Sequence, residues 1–131
     1  MNRIVAEWIE KAEGDHFSAL RELRARKNPN YDSACFHAQQ CVEKYLKGIL
    51  QAWQVPFSKT HDLTKLLDAC VSRHPEWERL RDDLKLLTQF AVVFRYPGES
   101  ATRDEAKHAV KVATAIRDIL RPAIRRKDLP P

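Results

Sequence analysis

No apolar run in this sequence comes near the roughly 18 to 20 residues that a helical membrane span needs, so no membrane-crossing segment is expected. The opening stretch, MNRIVAEWIEKAEGD, sets acidic residues inside its apolar pattern and does not read as a secretory signal. Cytoplasmic residence is the expectation. Cysteine is scarce: Cys35, Cys41 and Cys70 are odd in number and form no CxxC pair. Cys35 and Cys41 fall on one apolar helical arc, which points to buried free thiols rather than disulfides or a metal site. Zinc-finger spacings and an RNP-like aromatic motif are missing as well. No stretch alternates with period two, which leaves no candidate strand. There is no internal repeat and no low-complexity segment. Neither cofactor nor metal is expected.

What remains has the make-up of one soluble globular domain. The 131 residues are 44% hydrophobic and 31% charged, enough to bury a core. Lys and Arg outnumber Asp and Glu by 23 to 18, a net charge of +5. That excess permits an anionic partner such as a nucleotide, RNA or an acidic protein face, without demanding one.

The stretch YDSACFHAQQCVEKYLKGILQAW, Tyr31 to Trp53, organises the rest. At about 100° per residue, Ala34, Cys35, Ala38, Cys41, Val42, Tyr45, Leu46, Ile49, Leu50 and Trp53 share an apolar arc of roughly 180°. An arc that wide predicts a helix gripped by several neighbours, with Asp32 or Ser33 as its cap. The other side carries His37, Gln40, Glu43, Lys44, Lys47 and Gln51 in one polar stripe. This stripe can be a solvated face with a Glu43–Lys47 pair, a dimer interface or a ligand surface.

A first helix is predicted over about 3–26, with Ile4, Val5, Trp8, Ile9, Ala12, Phe17, Leu20 and Leu23 as its apolar stripe. Lys27 to Asn30 forms the turn after it. Beyond the loop 54–60, a short helix is predicted over about 61–71, with Thr60 as its cap. His74-Pro75 opens a fourth helix that runs to Val93 or Phe94. Thr102 to Glu105 reads as a capping box for a fifth helix reaching about Leu120, where Arg121-Pro122 ends or kinks it. The prediction is an all-α, four- to five-helix up-and-down bundle over 1–124, with a flexible basic tail over 125–131.

Three segments in order, FHAQQCVEKYLKGIL, THDLTKLL and the FRYP loop before the last amphipathic helix, resemble the HEPN domain family. The resemblance extends from about Trp8 to Ile124. It implies a small helical bundle that pairs as a homodimer and accompanies a minimal nucleotidyltransferase, in some cases as a toxin–antitoxin pair. It further implies nucleotide or RNA binding, and in some branches metal-independent RNase activity. Those activities belong to branches, not to the fold.

Candidate ligand-binding residues are His37, Gln40, Lys44 and Lys47 in the stripe, together with His61, Arg95 and Tyr96. His61, beside Asp62, can act as acid or base or can orient its loop. Arg95 and Tyr96, held by Pro97, suit an anion and a stacked base. RNase branches carry an Arg, four to six residues, then a His, which Arg103 and His108 match. His108 would be the general acid or base and Arg103 would stabilise charge developing on phosphorus. Position 110, a Tyr in toxin members, is Val here. A five-residue step on a regular helix also leaves the two side chains about 140° apart.

Overall fold

In the computed structural model, which describes residues 2–125, the secondary structure is five α-helices and two 3-10 turns, with no described residue in a strand. The side chain of Asn2 opens α1 (Arg3–Arg24) by accepting from the N–H groups of Ile4 and Val5. The cap of α2 (Tyr31–Ala52) is Asn30, which accepts from the Ser33 N–H at 2.9 Å. Asp32, an expected cap, lies two residues further in. It accepts instead from the Ala101 N–H at 2.6 Å and ties the approach to the last helix onto α2.

A two-residue shift occurs again at α3 (Leu63–Cys70), which Asp62 caps rather than Thr60. The Thr60 hydroxyl accepts the Asp62 N–H, so the two polar residues act in series. Pro75 starts a 3-10 turn, Pro75–Leu80, that leads into α4 (Arg81–Val93). The expected capping box opens α5 (Arg103–Leu120): Thr102 and Glu105 each accept the other's N–H. Pro122 lies in the closing turn Arg121–Ala123. Of the basic tail only Arg125 falls within the described residues.

The predicted centre is the centre: α2 packs against α1, α3, α4 and α5. Its Cys35, Cys41, Val42, Tyr45, Leu46, Ile49 and Leu50 are fully buried. All three thiols are buried and free, and burial pushes those of Cys35 and Cys70 up to about 12 and Cys41 higher still. α1 departs from expectation at two positions. Its buried line runs Val5, Ile9, Ala12, Asp15, Ala19, which leaves Phe17 64% and Ile4 54% exposed. The Phe17 ring instead lies under the Arg21 guanidinium, 5.0 Å from its centre.

Side-chain bonds fix the directions of the helices. Glu13 of α1 accepts from Arg117 Nε and Nη2 of α5, both at 2.6 Å, and from Arg121 Nη1 at 2.7 Å. The same Arg121 nitrogen donates to the buried Tyr45 hydroxyl of α2 at 2.9 Å. Burial alone would raise the Glu13 carboxyl, but Arg117 and Arg121 outweigh it and hold it below the usual glutamate range. One turn along, Thr114 donates to the Val110 carbonyl and so accepts from His16 Nε2 at 2.9 Å. These contacts run α1 and α5 antiparallel. After α2 the chain climbs back to place His61 beside Glu43, then descends through α3 to stack His74 on Trp53. The bundle is therefore up-and-down with one return loop.

α1 approaches α2 closely at Gly48. A Cβ there would meet Ile9 Cδ1 at 2.9 Å and Trp8 Cβ at 3.1 Å. Gly48→Ala is expected to lower the stability measured by urea unfolding by about 1–3 kcal/mol, as overpacking does, although alanine is the better helix former.

Candidate functional site

The polar stripe of α2 is largely turned inward. Glu43 is 3% exposed and Lys47 7%, so these residues do not form a solvated face. Glu43 Oε1 accepts from Gln39 Nε2 at 3.1 Å, Gln40 Nε2 at 3.3 Å and His61 Nδ1 at 2.9 Å. Glu43 Oε2 accepts from Lys47 Nζ at 3.1 Å, the pair expected from the i,i+4 spacing. Lys47 also lies 5.8 Å from the centre of the Trp8 ring. Gln39, 1% exposed, donates to the His61 carbonyl at 2.8 Å, while its own side-chain oxygen accepts from Gln40. The side chain thus pins the return loop to α2.

A second knot lies nearer the start of α2. Asp15 of α1 accepts from His37 Nδ1 at 2.8 Å and from Lys44 Nζ at 2.5 Å. His37, Gln40, Lys44 and Lys47 are thus all engaged within the chain. His61 keeps a 74% exposed imidazole whose Nδ1–H is held by the buried carboxylate. Asp15 and Gln39 escaped the sequence reading as partners, and Glu43 was read as the partner of Lys47 alone. The signal was there for Asp15, since it falls in the buried register of α1 between Ala12 and Ala19.

The remaining candidates lie at the end of the bundle where α1 closes and α2 and α5 open. There Leu23, Arg24, Ala25, Arg26, Tyr31, Arg103 and Lys107 line a cleft of about 550 Å³. None of its four cations is in an ion pair among the described residues. Arg24, in the last turn of α1, suits the negative end of that helix dipole. Arg103 does the reverse. It is the first residue of α5, where the dipole is positive and free N–H groups point outward. A cation there is disfavoured, Asp104 and Glu105 of the same turn offset part of that, and the N–H groups of a helix start are themselves anion donors. Lys107, one turn on, faces the same cleft as Arg103, while His108 is exposed and does not line it.

Around the start of α2, Asn30, Asp32, Ser33, Phe36, Phe90, Ala91, Phe94 and Arg95 line a more apolar cleft of about 400 Å³. Tyr96 beside it is 60% exposed. Arg24, Arg26, Tyr31 and Lys107 were missed in the sequence because about 80 residues separate the first two from Arg103. Among the described residues no helix is long and apolar enough to cross a membrane.

Comparison with known proteins bears on this arrangement. The family model described as HEPN domain matches residues 5–123. TT1696 from Thermus thermophilus is similar to the chain at 27% identity, with a TM-score of 0.74 over 95% of this chain and 100% of that one. The archaeal HEPN homologue ST0689 is similar at 26% identity, with the same TM-score and coverage. No curated protein matches the sequence.

The Glu43 network sets a stability prediction. Glu43→Ala leaves Lys47 buried without its partner and is expected to cost about 3–5 kcal/mol in urea unfolding. Replacing both, as Glu43→Leu with Lys47→Met, is expected to cost much less than the single change.

Proposed function

The chain belongs to the HEPN domain family, and on that footing we propose that it is a binding module whose cleft between α1 and α5 takes the phosphates of a nucleotide or RNA. The observation that carries this is the set of four cations in no ion pair among the described residues, Arg24, Arg26, Arg103 and Lys107, which line one cleft with Tyr31 where α5 begins. Guanidinium groups fit phosphate oxygens in a bidentate way, and the helix start adds N–H donors of matching polarity. Tyr31 supplies a face on which an unpaired base can stack. Arg103 acts here with Lys107 as an anion holder, and the roughly 140° between Arg103 and His108 favours binding over cleavage.

The module works as a homodimer and partners a minimal nucleotidyltransferase, in an arrangement of the toxin–antitoxin type. Phe36, Val92, Val93 and Tyr96 give the dimer its surface: all are exposed large hydrophobics around the end of α4, with Phe90 and Phe94 beside them.

Binding to single-stranded RNA should weaken with salt, the slope of log K against log salt being about −0.7 per phosphate contact. Arg103→Ala with Lys107→Ala should flatten that slope by about 1.4 and reduce affinity at least about tenfold, read by fluorescence anisotropy. RNA incubated in EDTA should remain intact. Cleavage that disappears in both Arg103→Ala and His108→Ala would replace this reading with a metal-independent RNase. Light scattering should give twice the 15.2 kDa chain mass, and Val93→Glu should return the single-chain mass.

A further inference from the structure

We propose that the opposite end of the bundle carries a second oxyanion site, built by Trp53, Gln54, Arg73 and Arg125 and selective for phosphate groups. α2 spans 22 residues, about 33 Å at 1.5 Å per residue, so this end is well separated from the cleft at Arg103. Three separate segments converge on it: the end of α2, the turn after α3 and the close of the chain's last turn. Together Ala52, Trp53, Gln54, Arg73, Ala123 and Arg125 enclose about 470 Å³.

Trp53, which lines the cavity, is backed by two further rings. His74 lies parallel to Trp77 with ring centres 4.1 Å apart, and both lie nearly parallel to Trp53 at 5.6 and 6.1 Å. The His74 Nδ1–H is held by Glu76 at 2.7 Å, so the nearby carboxylate is already occupied by the stack. Arg73 sits with its guanidinium carbon 4.9 Å from the centre of the Trp53 ring. Held there by a cation–π contact, the guanidinium keeps its N–H edges for an acceptor. Neither Arg73 nor Arg125 is in an ion pair among the described residues. In sequence Arg125 is followed by Arg126 and Lys127, which adds to the positive charge of this segment.

Gln54 adds an independent observation. The Val55 N–H bonds the Leu50 carbonyl at 2.9 Å and the Gln54 N–H bonds Gln51 at 3.1 Å, a Schellman ending with Gln54 as its left-handed residue at φ +58. Glycine fits that backbone without strain, and a long side chain does not. This chain keeps an amide there, at the wall of a cavity lined by two unpaired arginines. Backbone strain retained beside a polar cavity is a mark of function. Two guanidinium groups and one amide offer more donors than a single carboxylate accepts, whereas the several oxygens of a phosphate can use them.

The test uses the full chain in the Arg103→Ala/Lys107→Ala background, which weakens the first site, and the second site is read as the binding that further changes at Arg73 and Arg125 remove. Calorimetry at low salt is run with inorganic pyrophosphate and, in a second arm, with a short oligouridylate. Saturable binding is expected with both. Pyrophosphate alone would assign the site to free phosphate compounds, and oligouridylate alone to a nucleic-acid backbone. Adding Arg73→Ala should weaken either ligand at least tenfold, and Arg125→Ala should do likewise. Gln54→Gly should weaken binding several-fold while raising Tm by a few degrees, because the left-handed strain is gone. No saturable heat with either probe, or binding that survives the arginine changes, overturns the site. A Gln54→Gly protein that is more stable and binds unchanged overturns the part assigned to Gln54.

Discussion

The fold depends on a carboxylate that has no business in a hydrophobic core unless it is fully satisfied. Glu43 is on the central helix, 3% exposed, and takes bonds from Gln39, Gln40, His61 and Lys47. Burying the two charges costs several kcal/mol each, which their mutual attraction repays only with good geometry and further hydrogen bonds. Those conditions are specific to one arrangement. Lys47 must lie one turn from Glu43, Trp8 of α1 must come near Lys47, and the return loop must bring His61 back up the helix. A slipped α1 or a shorter loop would strand a charge in the core. The network therefore selects register more than it adds net stability, and no buried side-chain polar atom among the described residues lacks a partner.

Charge is sorted along the same lines through the rest of the bundle. Asp15 and Glu13 lie on the inner side of α1, and each joins that helix to a neighbour through two cationic or imidazole partners. Inside, acids and bases are matched. Of the cations outside any ion pair among the described residues, Arg24, Arg26, Arg103 and Lys107 meet in a cleft at one end of α2, and Arg73 and Arg125 meet at the other. A surplus scattered over the surface would contribute to solubility alone. Concentrated in concave places beside tyrosine or tryptophan, it makes a local field suited to phosphate.

What the sequence disclosed follows from which signals are local. Helix spacing, the Thr102–Glu105 box, Pro75 and Pro122 depend on neighbours within a turn, and each was readable. Caps slipped by two or three residues because Asn30, Asp32 and Ser33, or Thr60 and Asp62, are equally able acceptors. Tertiary demand decided between them: Asp32 was needed by Ala101. Phe17 was misplaced for a related reason, since Asp15 and not an apolar residue fills the buried position between Ala12 and Ala19. The inward turn of His37, Lys44 and Lys47 was not readable, because periodicity places a polar stripe on a side without saying what packs there. The basic cleft was hidden for the same reason, its arginines being brought together only by the antiparallel pairing of α1 and α5.

That pairing also separates the two ways in which Arg103 can act. A cleaving site needs the arginine and the histidine to meet one phosphodiester from complementary sides. Within one regular helix a five-residue step sends them apart, and here Arg103 turns with Lys107 toward α1 while His108 stays outside the cleft. Both cations are placed to neutralise phosphate in the ground state, and equal stabilisation of ground and transition states gives affinity without rate. The start of α5 combines Arg103 with Asp104 and Glu105 in its first turn, and a bound anion would add to what those carboxylates offset, as the proposed holder requires. The same logic applies to Gln54, whose left-handed backbone also stands at a helix end and beside unpaired arginines. At both ends of the bundle a locally unfavourable residue stands beside cations outside any ion pair among the described residues.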